Sequence, residues 1–279
     1  MAIAQKIRWS LIMALVAVAS TVFVSKALTT QKGTEKIIIS GASTIAPLVA
    51  EIAKRYEREN PGIQIDVQSG GSSRGVADAR SGLADIGMVS RDLKASEREL
   101  VDYPIARDGI AVIVHKSNPI QALSKEQIRN IYLGRITNWK ELGGADMPIT
   151  VVNKASGRST LELFAGFMNL EPADIKANIV IGENEQGIKT VANSPGAIGY
   201  VSIGTAEYSE RSGTALKLIS LGGQVPSTQN VADKKYDLSR TLNLVTKGKP
   251  SVAVSHFIDY VQSASVKDLV EEQYFVSLK

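Results

Sequence analysis

The sequence contains no cysteine among its 279 residues and only two histidines. The missing cysteine excludes disulfide bonds, thiolate metal sites and a lipid-modified N-terminal cysteine. The histidines, His115 and His256, lie far apart in the chain and form no pair with the spacing of metal ligands. The sequence therefore predicts no bound metal and no cofactor.

Recognisable catalytic motifs are also missing. The chain has no G-x-S-x-G loop, no Walker-type phosphate loop and no carboxylate pair in a hydrolase motif. Aromatic residues are scarce, and Trp139 and the tyrosines suit packing better than a stacking platform for nucleic-acid bases. We therefore expect a protein that is not an enzyme, and a periplasmic phosphatase is the unfavoured alternative.

Acidic residues are absent from the first 34 positions. Two basic residues precede an apolar run from Leu11 to Val24, and the small residues Ser25 and Ala27 follow it. This layout is typical of a secretory signal, and the run is shorter than the roughly 20 residues that span a membrane. We expect residues 1–27 to be a cleaved signal peptide and the mature protein to be periplasmic; an uncleaved membrane anchor is the alternative.

The basic charge of the chain comes mostly from this segment. The formal net charge is +4, and Lys6, Arg8 and Lys26 contribute +3 of it, so about +1 remains on the mature chain. A chain so close to neutral gives no reason to expect a nucleic-acid partner.

Apolar runs of strand length alternate with helical patterns along the rest of the chain. The predicted strands are 36–39, 63–67, 85–89, 109–114, 149–152, 197–201 and 240–245, and the predicted helices are 46–60, 73–80, 124–133, 159–168 and 250–262. This alternation predicts an α/β fold with mostly parallel sheets and helices on both faces.

The length of the chain allows two lobes. We interpret the long apolar runs as strands that cross between the lobes, near 108–114 and 240–245. Lobe 1 would then comprise 33–108 plus 246–279, and lobe 2 would comprise 109–245.

Three loops share one design. Ser-Gly-Ala-Ser-Thr at 40–44, Ser-Gly-Gly-Ser-Ser at 69–73 and Ser-Gly-Arg-Ser-Thr at 156–160 each follow a predicted strand and open a predicted helix. Any one of them could be ordinary helix capping and turn chemistry. Three together favour an anion site, because glycine lets the backbone approach a ligand and helix N-termini offer free N–H groups.

Two arginines stand next to these loops and could grip an anion with a bidentate fork. Arg158 lies within the third loop, and Arg91 follows the predicted strand 85–89.

The motifs at 40–44, 70–73, 85–92 and 136–144 resemble those of the periplasmic phosphate-binding proteins of phosphate ABC transporters, and the resemblance continues through 153–164 and 194–201. It implies a two-lobed periplasmic binding protein fold of type II-like design that closes on its ligand about two crossover strands. It also implies inorganic phosphate as the ligand, an inner-membrane ABC permease as the partner, and a monomer.

The family's ligand contacts map onto the loops chosen above: Ser43, Thr44, Ser72, Arg158, Ser159 and Thr160. The sequence departs from the family in two places. Ser90 and Arg91 stand where the best-known members carry an aspartate that accepts the phosphate proton, and we expect both residues to contact the ligand. Lys154 fills the position of an arginine.

Without that aspartate, selectivity for phosphate is less secure than oxyanion binding itself. Asp85 and Asp92 are candidate replacements for the acceptor. Binding of another oxyanion, such as sulfate, or of a phosphate ester therefore stays open. So does a sensing or interaction role, in which a receptor rather than a permease reads the closed form.

Overall fold

The computed structural model describes residues 34–278, so the predicted signal peptide at 1–27 lies outside the described residues. No helix within 34–278 combines the length and the apolar character that a membrane span requires.

Strands and helices alternate along most of the described chain. The strands are β1 Glu35–Gly41, β2 Ile63–Ser69, β3 Ile86–Val89, β4 Leu100–His115, β5 Ala122–Leu123, β6 Thr150–Lys154, β7 Ile179–Ile181, β8 Ala197–Ser202, β9 Leu216–Leu221, β10 Ser239–Lys247 and β11 Val276–Ser277. The helices are α1 Ala46–Glu59, α2 Ser72–Ser81, α3 Lys125–Tyr132, α4 Ser159–Met168, α5 Asn184–Ala192, α6 Ile203–Arg211, α7 Thr228–Ala232, α8 Val252–Val261 and α9 Lys267–Glu272.

Local sequence accounts for several of these boundaries. α1 has Pro47 in its first turn, where a missing N–H costs nothing, and it ends at Glu59, with Asn60 as its C-cap directly before Pro61. α2 ends at Gly82, whose φ of 76° is the left-handed conformation that glycine adopts without strain. α3 begins with a capping box in which Ser124 accepts from the Gln127 amide.

The strand order is β2-β1-β3-β10-β4-β8-β6-β7, with β9 and β11 paired to β4 and with β5 paired to β9. Parallel pairs join β1 to β3, β6 to β7 and β8, and β5 to β9. β4 and β10 pair antiparallel with each of their neighbours. The fold is therefore mixed α/β. Strands on the two sides of the sheet are joined by helices and pair in parallel, whereas β10 and β4 in its centre pair antiparallel.

β4 is much longer than the predicted strand at 109–114. Its first half, from Leu100 to Asp108, mixes polar and apolar residues and contains Pro104, so it lacks the continuous apolar run that signals a buried strand. The register with β10 shifts between Leu242 and Asn243, opposite the segment that contains Pro104. A bulge there accommodates a residue that cannot donate a backbone hydrogen bond.

Two large hydrophobic cores occupy the two lobes. One contains residues from Ile110 to Leu238, and the other contains residues of 37–106 and 242–275. β4 contributes residues to both cores, and β10 begins directly after Leu238 of the first core and runs into the second, so these two strands connect the lobes. The lobe limits drawn from the sequence, 108/109 and 245/246, stay a prediction.

Candidate functional site

A small polar pocket lies between the lobes and takes residues from both. It is lined by Ala42, Ser43, Thr44, Gly71, Ser72, Ser90, Lys154, Arg158, Ser159, Thr160, Gly182 and Asn184. The lining contains six hydroxyl groups and two basic side chains, but no carboxylate. Such a set offers many donors and suits an anion.

Three helix N-termini converge on this pocket. α1 begins just after the first predicted loop, whereas α2 and α4 begin within the second and third; their N-cap residues are Ile45, Gly71 and Arg158. None of these three described N-caps makes a side-chain capping hydrogen bond. Because the first N–H groups of a helix have no partner within it, three uncapped starts favour negative charge in the pocket.

Backbone hydrogen bonds hold the loops against one another. The Gly41 carbonyl accepts from the amides of Gly70 and Gly71, each at 2.8 Å, which joins the first two loops. The Ser73 amide donates to the Gly157 carbonyl at 3.3 Å and so connects the second loop to the third, which belongs to the other lobe.

Gly71 is required by its backbone and by its neighbours. Its φ of 97° and ψ of 158° lie in a region that only glycine populates readily. A Cβ atom there would lie 2.9 Å from both Arg158 Cδ and the Gly157 carbonyl oxygen. Glycine at 71 therefore makes room for the third loop and its arginine.

Three serine hydroxyls meet in the pocket. Ser72 Oγ donates to Ser159 Oγ at 2.9 Å, Ser90 Oγ lies 2.5 Å from Ser159 Oγ, and the Ser90 amide donates to Ser72 Oγ at 3.1 Å. Ser72 and Ser90 come from one lobe and Ser159 from the other. Hydroxyl hydrogens rotate to suit their partner, so the same groups can turn to an anion when one is bound.

Arg240 lies behind the hydroxyls and was not among the predicted site residues. Its Nη1 donates to Thr160 Oγ1 at 2.9 Å and to Ser90 Oγ at 3.4 Å, and its Nη2 donates to Thr44 Oγ1 at 3.2 Å. A hydroxyl that accepts from a guanidinium keeps its own O–H free to donate. Arg240 thus leaves the O–H groups of Thr44, Ser90 and Thr160 free to donate to a ligand in the pocket.

Asp108 holds Arg240 in place. Its Oδ2 accepts from Arg240 Nη2 at 2.8 Å and from Nε at 3.1 Å, and both side chains are 1% exposed. Asp108 Oδ1 accepts from Ser202 Oγ at 2.9 Å. The sequence did carry a signal for this pair, because a charged residue stands at one end of each predicted crossing strand.

Lys154, at the end of β6, lines the pocket although it was not among the predicted site residues. It is 3% exposed, and its Nζ donates to Asn184 Oδ1 at 2.9 Å. Burial above all, together with the positive charges of Arg240 and Arg158, lowers the pKa of Lys154 to about 7 against the opposing effect of Glu183.

Arg158 lies at the pocket, as predicted, but it is already in an ion pair. Its Nη1 donates to Glu183 Oε1 at 2.9 Å. Glu183 directly precedes α5, so the pair links the third loop to the loop that provides Gly182 and Asn184. The other nitrogens of the guanidinium remain available to an anion.

Arg91 is the predicted site residue that the structure does not bring to the pocket. It is 4% exposed, and its two Nη atoms donate to Glu97 at 2.6 and 2.9 Å. Its Nε lies 3.1 Å from Glu162 Oε2 on α4 of the other lobe. The side chain points away from the pocket because the buried carboxylate of Glu97, six residues further along the chain, accepts from both Nη atoms.

We expect Arg91→Ala to affect stability rather than anion binding. Burial alone would raise the pKa of Glu97, but hydrogen bonds from Arg91 and the Lys94 amide outweigh it and lower that pKa below its ordinary 4.5. The ionised Glu97 thus stabilises the fold above about pH 4.5, and this contribution is lost as pH falls through the lowered pKa. Loss of Arg91 should cost roughly 3 kcal/mol at neutral pH.

Chemical denaturation at neutral and acidic pH measures this effect. The difference in unfolding free energy between wild type and Arg91→Ala should shrink in acid, while ligand affinity at neutral pH stays within about fivefold of wild type. If Arg91→Ala lost a hundredfold in ligand affinity without losing stability, Arg91 would have to be a ligand-binding residue and the prediction would be wrong.

The other seven predicted site residues all line the pocket: Ser43, Thr44, Ser72, Ser90, Arg158, Ser159 and Thr160. The two acidic residues considered as proton acceptors do not. Asp85 Oδ2 accepts from the Ile38 amide at 2.8 Å, and Asp92 is absent from the lining. The pocket thus provides only neutral acceptors.

A family model for the PBP superfamily domain matches residues 27–265. Phosphate-binding protein PstS of Bacillus subtilis is 32% identical over 253 residues, which cover 88% of this chain and 82% of that protein. PstS of Borreliella burgdorferi is 30% identical over 256 residues, which cover 88% of this chain and 91% of that protein.

Solved structures also resemble most of the chain. A crystal structure from Clostridium perfringens, described as a phosphate ABC transporter substrate-binding protein with bound phosphate, has a TM-score of 0.82 and 32% identity, covering 88% of this chain and all of that one. An ABC-type phosphate transport receptor from Vibrio cholerae has a TM-score of 0.71 and 31% identity, covering 86% and 99%.

Proposed function

We propose that this chain, which belongs to the PBP superfamily and to the PstS phosphate-binding proteins, captures inorganic phosphate between its lobes and delivers it to an ABC permease. The observation that carries this proposal is the pocket itself. Three uncapped helix N-termini and six hydroxyls surround it, and it contains no carboxylate. A desolvated tetrahedral anion needs donors that converge in this way from several directions.

The donors are sufficient without a metal ion. A charge-assisted hydrogen bond contributes roughly 1.5 to 3 kcal/mol, and a micromolar dissociation constant corresponds to about 8 kcal/mol. A handful of contacts from the loops, from Arg158 and from Lys154 therefore suffices after the cost of ordering.

The site residues of the proposal are Ser43, Thr44, Ser72, Ser90, Arg158, Ser159 and Thr160, with Lys154 added. They come from both lobes, so the complete donor set exists only when the lobes are closed. We place the hinge in β4 and β10, the two strands that connect the lobes. The protein would act as a periplasmic monomer after removal of residues 1–27.

The double variant Arg158→Ala with Thr44→Val tests the pocket. It removes one cationic fork and one hydroxyl donor from different loops, and it should weaken phosphate binding roughly a hundredfold or more. Titration calorimetry of the phosphate-stripped protein measures the effect. Arg129→Ala with Thr190→Val is a matched control, because neither residue lines the pocket. Phosphate binding of wild-type strength in the test variant would place the site elsewhere.

The absence of a carboxylate from the pocket lining favours a second candidate within the same class, a binder of several tetrahedral oxyanions. A buried carboxylate would repel an anion that has no proton to donate, and only neutral acceptors line this pocket. Competition between sulfate and phosphate in the same titration distinguishes a selective phosphate binder from this broader one.

A further inference from the structure

Lys154 stands apart from the other two cations of the site. Arg240 is paired with Asp108, and Arg158 is paired with Glu183. No ion pair among the described residues includes Lys154, whose Nζ has the neutral Asn184 Oδ1 as its partner at 2.9 Å. An ammonium group has three donors, so a buried one with an amide partner and no counter-ion is costly.

The charges that face Lys154 come from each neighbouring element. Arg158 precedes α4, Glu183 precedes α5, and Arg240 lies on β10. On β8, the Tyr200 hydroxyl donates to Asn153 Oδ1 at 2.5 Å and accepts from the Lys154 amide at 3.4 Å, so it is neutral and occupied. Asp108 and Glu183, the carboxylates next to the pocket, are already paired with arginines, so a bound anion is the counter-ion that the Lys154 ammonium lacks.

We propose that capture of the anion is coupled to uptake of one proton by Lys154, so that the pocket takes the dianionic form of a tetrahedral oxyanion. The inference rests on the proposed function. The neutral Nζ uses its lone pair to bind a proton from solvent, and the resulting ammonium faces the dianion. No proton on the ligand is required, which agrees with a lining that has no carboxylate to accept one.

The pH dependence follows from this coupling. The pKa of Lys154 is about 7 in the structure, and an adjacent dianion raises it because opposite charge favours the ammonium. Affinity for the dianion should therefore fall by up to about tenfold for each pH unit above 7, as the proton must first be bound. Lys154→Arg should remove this fall, because the guanidinium does not titrate in this range.

The test is titration calorimetry with inorganic phosphate at about pH 8.5, where free phosphate is almost entirely the dianion and an amine with a pKa near 7 is almost entirely neutral. Buffers of different ionisation enthalpy give the number of protons taken up. We expect nearly one for wild type and for Lys140→Arg, a control at an exposed lysine paired with Asp146, and nearly none for Lys154→Arg.

Each outcome decides one question. Phosphate binding without proton uptake in wild type would overturn the inference and leave the proposed function intact. Equal uptake in wild type and Lys154→Arg would also overturn it, because the proton would then sit on the ligand. Absence of phosphate binding in wild type would remove the proposed function itself.

A direct measurement covers the case in which Lys154→Arg fails to fold. The ¹³Cε resonance of Lys154 in the phosphate-free protein should titrate near pH 7 and move to a midpoint above about pH 9.5 with phosphate bound, as uptake of nearly one proton at pH 8.5 requires. An ordinary lysine midpoint, unchanged by phosphate, would contradict the proposal.

Discussion

Arg240→Ala should weaken phosphate binding roughly a hundredfold or more and lower the unfolding free energy by about 3 to 5 kcal/mol. The binding effect arises because Arg240 donates to Thr44, Ser90 and Thr160. Without these bonds the hydroxyls satisfy one another instead of pointing at the ligand. The stability effect arises because Asp108 would keep a buried charge without its partner.

A paired variant separates the two effects. Arg240→Met with Asp108→Asn removes both charges and should recover much of the stability, since replacing a whole buried ion pair is often nearly neutral. It should not recover the affinity. Calorimetric titration and chemical denaturation of both variants measure the two quantities, and wild-type affinity in the paired variant would contradict the orienting role of Arg240.

Gly71→Ala should reduce phosphate affinity by roughly a hundredfold, comparable to the loss of two charge-assisted hydrogen bonds. The methyl group would collide with Arg158 Cδ and with the Gly157 carbonyl oxygen, both of which belong to the facing lobe. The φ of 97° adds strain of about 1 to 3 kcal/mol for any residue with a side chain. Closure of the lobes is the step that this substitution obstructs.

Gly143→Ala is the matched control for this prediction. Gly143 also has a positive φ, 84°, but an added Cβ would have no atom within 4 Å. It should lose some stability from backbone strain and bind phosphate as wild type does. Titration of both variants compares strain alone with strain plus collision, and equal affinities would show that the contact between Gly71 and the third loop does not matter for binding.

The sequence by itself determined the elements whose signals are local. The apolar runs of β1, β2 and β8 and the helical patterns of α1, α2 and α4 lie where the structure has them, because strand and helix periodicity is written in neighbouring residues. The three glycine- and serine-rich loops also follow from sequence. A loop between a strand and a helix reaches the carboxyl edge of its sheet, so the three loops together predicted an anion site, although any one of them could have been ordinary helix capping.

Tertiary structure decided the rest, because it depends on pairings distant in sequence. Arg240 meets Asp108 across 132 positions, and this contact fixes which arginine supports the pocket. By its place after a predicted strand, Arg91 was a stronger candidate for the pocket than Arg240, yet Glu97 and Glu162 pair with its guanidinium. The pKa of Lys154 is lowered only in the folded protein, where the side chain is buried and lies close to Arg240 and Arg158. Composition and periodicity depend only on residue types and their spacing. The charge and solvation of a side chain in the pocket depend on which distant residues the fold places next to that side chain.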